Sequence, residues 1–137
     1  MGTRMAAPTQ EIITRAERLE EACAEWARCP VIGFDTEFVG EDTYHPELCL
    51  VQVAVPGRLF LIDPYEVHSL EPFWRLLHDP QRVSVVHAGR EEIRLCKLLS
   101  GAPPANLFDL QLAAGLVSTS YPLGHAAVAQ IYLGQRL

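Results

Sequence analysis

The chain has 137 residues, 49% of them hydrophobic and 20% charged, which makes one domain with enough apolar side chains for a single core and excludes a disordered chain. Eleven Lys and Arg against 17 Asp and Glu give a formal charge of −6, which argues against passive binding of a phosphate backbone through a basic face. Nucleic acid as a partner then needs positive charge from outside, and bound divalent cations supply it by reversing the local field at an acidic site.

Cys23, Cys29, Cys49 and Cys96 are scattered, with no Cys-x-x-Cys pair. That argues against a zinc site or a disulfide framework and fits a reducing compartment. The N-terminus lacks the apolar core of a signal peptide, Ala6 stands where a myristoylation signal needs Ser or Thr, and no stretch reaches the length of a membrane span. The expectation is a cytoplasmic protein without membrane contact.

In chain order, residues 1–10 are read as a mobile arm and 11–137 as the folded domain. Glu11-Ile-Ile-Thr14 suits an edge strand. Thr14 and Glu17 stand in the spacing of a capping box. A helix follows to about Arg28, with Leu19, Ala22, Cys23 and Trp26 as its buried stripe and Glu20, Glu21 and Glu25 on the wet side. Pro30 stops it and launches Val31-Ile-Gly-Phe-Asp-Thr-Glu-Phe38, an apolar run carrying two acids. As a β-strand this run points Asp35 and Glu37 one way and Phe34, Thr36 and Phe38 the other. Two carboxylates so close repel unless a cation lies between them, and hard ions such as Mg²⁺ or Mn²⁺ take oxygen ligands of this kind. The plainer alternative is a strand that frays into a solvated acidic end.

Beyond a polar loop from Val39 to Glu47, Leu48–Val55 and Arg58–Asp63 flank the turn signal Pro56-Gly57 and predict a β-hairpin. With the acidic strand they make a three-stranded antiparallel meander. Leu70, Phe73, Trp74 and Leu77 recur at helical spacing, and the Trp and Phe are read as core in preference to a base-stacking platform. Val83–His87 is a short strand suited to parallel pairing, and Ala88-Gly89 turns the chain into a helix near Arg90 along which Ile93, Cys96, Lys97 and Leu98 step. Glu91 and Glu92 lie in its first turn, where the helix dipole favours negative charge, and helix stabilisation is their plain reading. Asp109 is read as the N-cap of a helix from Leu110 to about Val117, and a last helix runs from about Leu123 to Leu133. The order suits a two- or three-layer α/β domain.

Phe34-Asp-Thr-Glu-Phe38, Tyr44-His-Pro-Glu-Leu48, Leu50-Val-Gln-Val53, Leu61-Ile-Asp-Pro64, His87-Ala-Gly-Arg-Glu-Glu92 and Phe108-Asp-Leu-Gln-Leu112 together resemble, in this order, the ribonuclease D group of 3′–5′ exonucleases. That group belongs to the wider family named for its four acids, Asp-Glu-Asp-Asp. The resemblance runs from about Glu11 to the end of the chain. It implies a ribonuclease H-like α/β fold, in which an antiparallel three-stranded unit and a parallel strand share a mixed sheet with flanking helices.

The same resemblance implies hydrolysis of phosphodiester bonds from a 3′ end by a two-metal mechanism with Mg²⁺ or Mn²⁺, on RNA more than on DNA. Asp35 and Glu37 match the first motif, whose acids hold the metals, and Glu92 stands where the second motif carries Asp. Thr36, Phe38 and His87 match positions near the terminal nucleotide. Phe38 packed inward and His87 in a local hydrogen bond are the alternatives. The third motif, Tyr-x-x-x-Asp or His-x-x-x-x-Asp, has no match after Asp109, since Tyr121 is followed at the fourth position by His125. The expectation is therefore a C-terminally incomplete domain that ends inside the family's fold and has weak or absent nuclease activity by itself. A non-catalytic nucleic-acid or protein-binding domain that keeps the fold, and a structural remnant that folds poorly, are the competing readings. No motif specifies an oligomeric state.

Overall fold

The computed structural model describes residues 7–40 and 45–136. Residues 1–6 of the expected arm, the middle of the loop after Phe38, Tyr44 of the second quoted motif and Leu137 lie outside the described residues. In chain order the elements are β1 (Thr9–Ile13), α1 (Ala16–Trp26), β2 (Val31–Val39), β3 (Glu47–Val55), β4 (Arg58–Ile62), α2 (Pro64–Val67), α3 (Glu71–Leu77), β5 (Val83–Val86), α4 (Arg90–Ser100), β6 (Leu107–Asp109), α5 (Leu110–Val117) and α6 (His125–Leu133). The strands form one mixed sheet in the order β1-β4-β3-β2-β5-β6.

β4, β3 and β2 make the antiparallel meander, turned at Gly57 with φ +75°, a left-handed conformation that glycine takes without strain. β5 joins β2 in parallel and β6 joins β5 in parallel, which completes the mixed sheet expected from the resemblance. At the far edge β1 pairs in parallel with β4 from Thr9↔Arg58 onward. Thr9 and Gln10 thus belong to a strand and not to the arm that residues 1–10 were expected to form. Their side chains are exposed, as suits an edge strand, so they carry no alternation that would have separated them from a loop.

Alternate residues of the sheet, among them Ile13, Ile32, Phe34, Val51, Val53 and Phe60, face α1 to α4 and form the core with Leu19, Trp26, Phe73, Leu77 and Leu95. Trp26 meets Phe60 edge-on with ring centroids 4.9 Å apart, and Phe73 meets Phe34 at 5.7 Å. Phe73 and Trp74 are therefore core residues, as their periodicity predicts. The opposite face of the sheet is open: Ile12, Val31 and Phe108 are 67%, 46% and 47% exposed. All four cysteines are free. Among the described residues no helix is long and apolar enough to cross a membrane.

Three local expectations give way to tertiary context. The capping box at Thr14 is not made; Arg15 is the N-cap of α1, without a side-chain bond. The segment after β4 divides in two, because Asp63 caps a single turn by accepting from Tyr65 N and Glu66 N, and His68 at φ +60° ends it. α4 buries Glu92, Leu95 and Cys96 and leaves Ile93 and Leu98 exposed, so its inner face is rotated from the expected stripe. An acid on the inner face replaces the apolar residue that periodicity looks for.

Arg82, just before β5, is 6% exposed. Its guanidinium donates to the carbonyls of Trp26 (3.2 Å), Ala27 (2.9 Å) and Cys29, and to Asp79 (3.3 Å). It closes the C-terminal end of α1, where no glycine follows to do so.

Candidate active site

β3 accompanies β2 from Gly33 to Val39, with a bulge between Glu37 and Phe38, whereas β5 accompanies only Val31–Gly33. β5 then stops at Val86, and the chain turns through His87-Ala88-Gly89 into α4. Asp35 and Glu37 therefore project, both exposed, just where one neighbouring strand has ended. A cavity of about 700 Å³ crosses the open face of the sheet from β1 to β5, lined among others by Gln10, Leu59, Gln52, Asp35, Val85 and His87. Gln52 lies directly across the ladder from Asp35.

Glu92 approaches β2 from the helical side. Its Oε1 accepts a hydrogen bond from Thr36 Oγ1 at 2.8 Å, and its side chain is 6% exposed. Burial pushes its carboxyl above the usual range, the Thr36 hydroxyl offsets part of that, and the charge of nearby Asp35 adds to the rise. The folded chain thus holds this proton to a higher pH than the unfolded chain. Stability is then greatest below the ordinary glutamate value of 4.5 and falls as pH rises through the window between the two values. Glu92→Gln is accordingly expected to raise the melting temperature near neutrality, with the gap to the parent chain closing on acidification. A gap that stays constant across that range, followed by circular dichroism, contradicts the assignment.

The turn before α4 is crowded. Ala88 adopts φ +56°, and a Cβ at Gly89 would come within 2.2 Å of Val86 Cγ2. Asp109 holds this turn from β6: its carboxylate accepts from Ala88 N at 3.1 Å and Gly89 N at 2.8 Å, and also from Gln111 N at 2.8 Å and Leu112 N at 3.4 Å. Partial burial alone would raise its pKa, but the four backbone N–H groups hold it below the usual carboxylate range. His87 Nε2 donates to the Leu123 carbonyl at 2.9 Å, which also accepts from Gln111 Nε2, and the His87 ring lies 5.5 Å from that of His125.

The expected residues divide as follows. Asp35 and His87 line one cavity, Glu37 extends the acidic edge, and Glu92 reaches the same strand from its other side. Thr36 is buried with its hydroxyl committed to Glu92, so its backbone is what it can offer a ligand. Phe38 is half-buried and packs against the core, away from the acidic face. Among the described residues no group of three or more His, Cys, Asp or Glu side chains is gathered closely enough to hold a metal. Sequence reasoning passed over Gln52, although a polar residue inside the apolar Leu50-Val-Gln-Val53 run is a signal. It also missed the reach of Asp109 to the turn, for which no local signal exists.

Residues 10–137 match the 3′–5′ exonuclease family, and the chain belongs to it. Within it the chain is similar to ribonucleases D. It is 37% identical over 126 residues to ribonuclease D of Pseudomonas paraeruginosa, covering 92% of this chain and 34% of that protein. It is 34% identical over 127 residues to ribonuclease D of Nitrobacter hamburgensis, covering 92% and 33%.

Among solved structures, Escherichia coli RNase D, an exoribonuclease involved in structured RNA processing, superposes with TM-score 0.84 at 32% identity, over 92% of this chain and 34% of that one. The Trypanosoma brucei RNase D complex with RNA U12 shares the fold, with TM-score 0.82 at 18% identity, over 96% and 49%. The chain spans about a third of the length of the curated relatives it matches.

Proposed function

We propose that this chain is the acid-bearing part of a ribonuclease D-type 3′–5′ exoribonuclease and that it receives an RNA 3′ end at the open face of β2. The observation that carries the reading is the pair Asp35 and Glu37 on one strand face, with Asp35 lining the cavity of about 700 Å³ that crosses the open face of the sheet. Two exposed carboxylates on one strand face are the hard-oxygen donor set that Mg²⁺ or Mn²⁺ takes. With Glu92 turned to Thr36, they fit one such ion, and a second ion needs donors beyond those gathered here.

Asp35 and Glu37 would hold a divalent ion, which would supply acidification of water and positive charge against the phosphate. The chain's own residues do the rest. Asp35 and Glu37 hold the ion, and Gln52, beside Asp35, offers an amide to the phosphate or sugar. Glu92, shielded from solvent, keeps its carboxylate against β2. RNA as the substrate rests on the relatives, which are ribonucleases D, and the hydrolytic reading is favoured over binding alone for the same reason.

The test uses single-stranded RNA labelled at its 3′ end. Tighter binding in Mn²⁺ than in EDTA, with little or no nucleotide release by the 137-residue chain, is the expected result. Equal binding in the two conditions contradicts the ion-dependent RNA site. Processive release contradicts the incomplete donor set.

A further inference from the structure

α4 carries Glu92 but has no side-chain cap of its own, since its N-cap is Gly89. The turn that aims the helix holds an alanine in the left-handed region and a glycine with no room for a side chain. Such a conformation persists only where the surroundings over-determine it. Asp109 provides that determination from 20 residues away.

We infer that Asp109 is a positioning residue for the acidic site, its carboxylate fixing the His87-Ala88-Gly89 turn and, through the first turn of α4, the place of Glu92 against β2. Both oxygens hold the turn, and Oδ1 also caps α5. Oδ1 takes Ala88, Gln111 and Leu112, whereas Oδ2 takes Gly89 alone. One negative charge thereby lies at the N-termini of both α4 and α5, where both dipoles favour it. Ile93 N bonds back to the Gly89 carbonyl, so the helix transmits any displacement of Gly89 to Glu92 as a rigid unit. A hydrogen bond such as the 2.8 Å contact from Thr36 to Glu92 tolerates shifts of only a few tenths of an ångström. The consequence for metal binding rests on the proposed nuclease reading; the placement of Glu92 does not.

Asp109→Asn removes the Gly89 bond and keeps those to Ala88, Gln111 and Leu112. Asn caps a helix as well as Asp does, so Oδ1 keeps α5, but the amide NH₂ replaces Oδ2 and faces the Gly89 N–H. In the metal-free chain, NMR is expected to show exchange of the Gly89 amide accelerated roughly tenfold for one lost hydrogen bond. The Gln111 and Leu112 amides stay protected, and the Glu92 carboxyl and Thr36 methyl resonances are displaced. Asp109→Ser, a capping residue too short to reach the turn, is expected to free the Ala88 amide as well as Gly89 with the same displacement of Glu92 and Thr36, and covers an Asn side chain that rotates its oxygen onto Gly89.

Glu92 and Thr36 signals that stay in place while Gly89 loses protection overturn the inference. So does a Gly89 amide equally protected in both variants. Mn²⁺ titration follows, with several-fold weaker binding expected in the variants. If the parent chain binds no Mn²⁺ while the Glu92 and Thr36 signals still move, the metal reading fails and the positioning role stands.

Discussion

Asp35→Ala is expected to weaken Mn²⁺ binding by two orders of magnitude or more, on the order of 3 kcal/mol, because outer partners of a metal site alone are worth ten- to a hundredfold and Asp35 is assigned direct contact. The fold is expected to survive. Asp35 is exposed and has no place in the core, so its removal costs no more than about 0.5 kcal/mol of stability. The same substitution removes the negative charge that helps raise the Glu92 carboxyl, whose value should move back toward the ordinary range. Glu37→Ala is expected to weaken binding less, since Asp35 lines the cavity and Glu37 does not. Calorimetric titration with Mn²⁺ measures all three chains. An unchanged affinity in Asp35→Ala would return the acidic pair to a solvated strand end.

Arg82→Leu is expected to cost about 3 kcal/mol, lowering the melting temperature by roughly 10 °C. The guanidinium serves three carbonyls at the end of α1 together with Asp79, and Leu leaves those acceptors in a place that water scarcely reaches. Charge-assisted bonds are the stronger class, and stranding their buried partners accounts for most of the loss. Arg82→Lys should fall between the two, because one ammonium cannot copy a planar fork. Thermal melts followed by circular dichroism decide. A loss below about 0.5 kcal/mol would mean that burying the guanidinium costs as much as its bonds return.

What could be read beforehand was whatever a single segment encodes. Buried Ile32, Phe34 and Thr36 alternate with half-buried Gly33 and exposed Asp35 and Glu37, so the strand and the common face of the two acids were visible in eight residues. The stripe Leu19, Ala22, Cys23 and Trp26 is buried as its spacing requires. The parts that were not legible are partnerships across the chain. Glu92 is buried because Thr36, 56 positions earlier, supplies a donor, and no periodicity announces that an acid will face inward. Asp109 reads as a helix cap and is one, yet its second oxygen serves a turn on another strand. Thr14 and Glu17 had the spacing of a capping box, but the chain leaves β1 through Arg15 in an extended conformation and the box is not formed.

β2 is held by ladders on both sides over Val31–Gly33, but β5 has withdrawn before Asp35 and a bulge interrupts the remaining ladder after Glu37. The strand is therefore laddered on both sides where it enters the core and on one side only where it carries the acids. Mg²⁺ demands a near-ideal octahedron at about 2.1 Å, while larger divalent ions accept longer and less regular contacts. A strand end laddered on one side only would let the two carboxylates follow a bound ion's radius without disturbing Ile32 or Phe34. Were a divalent cation held at this edge, discrimination among such ions would fall to ligand hardness, with size contributing little.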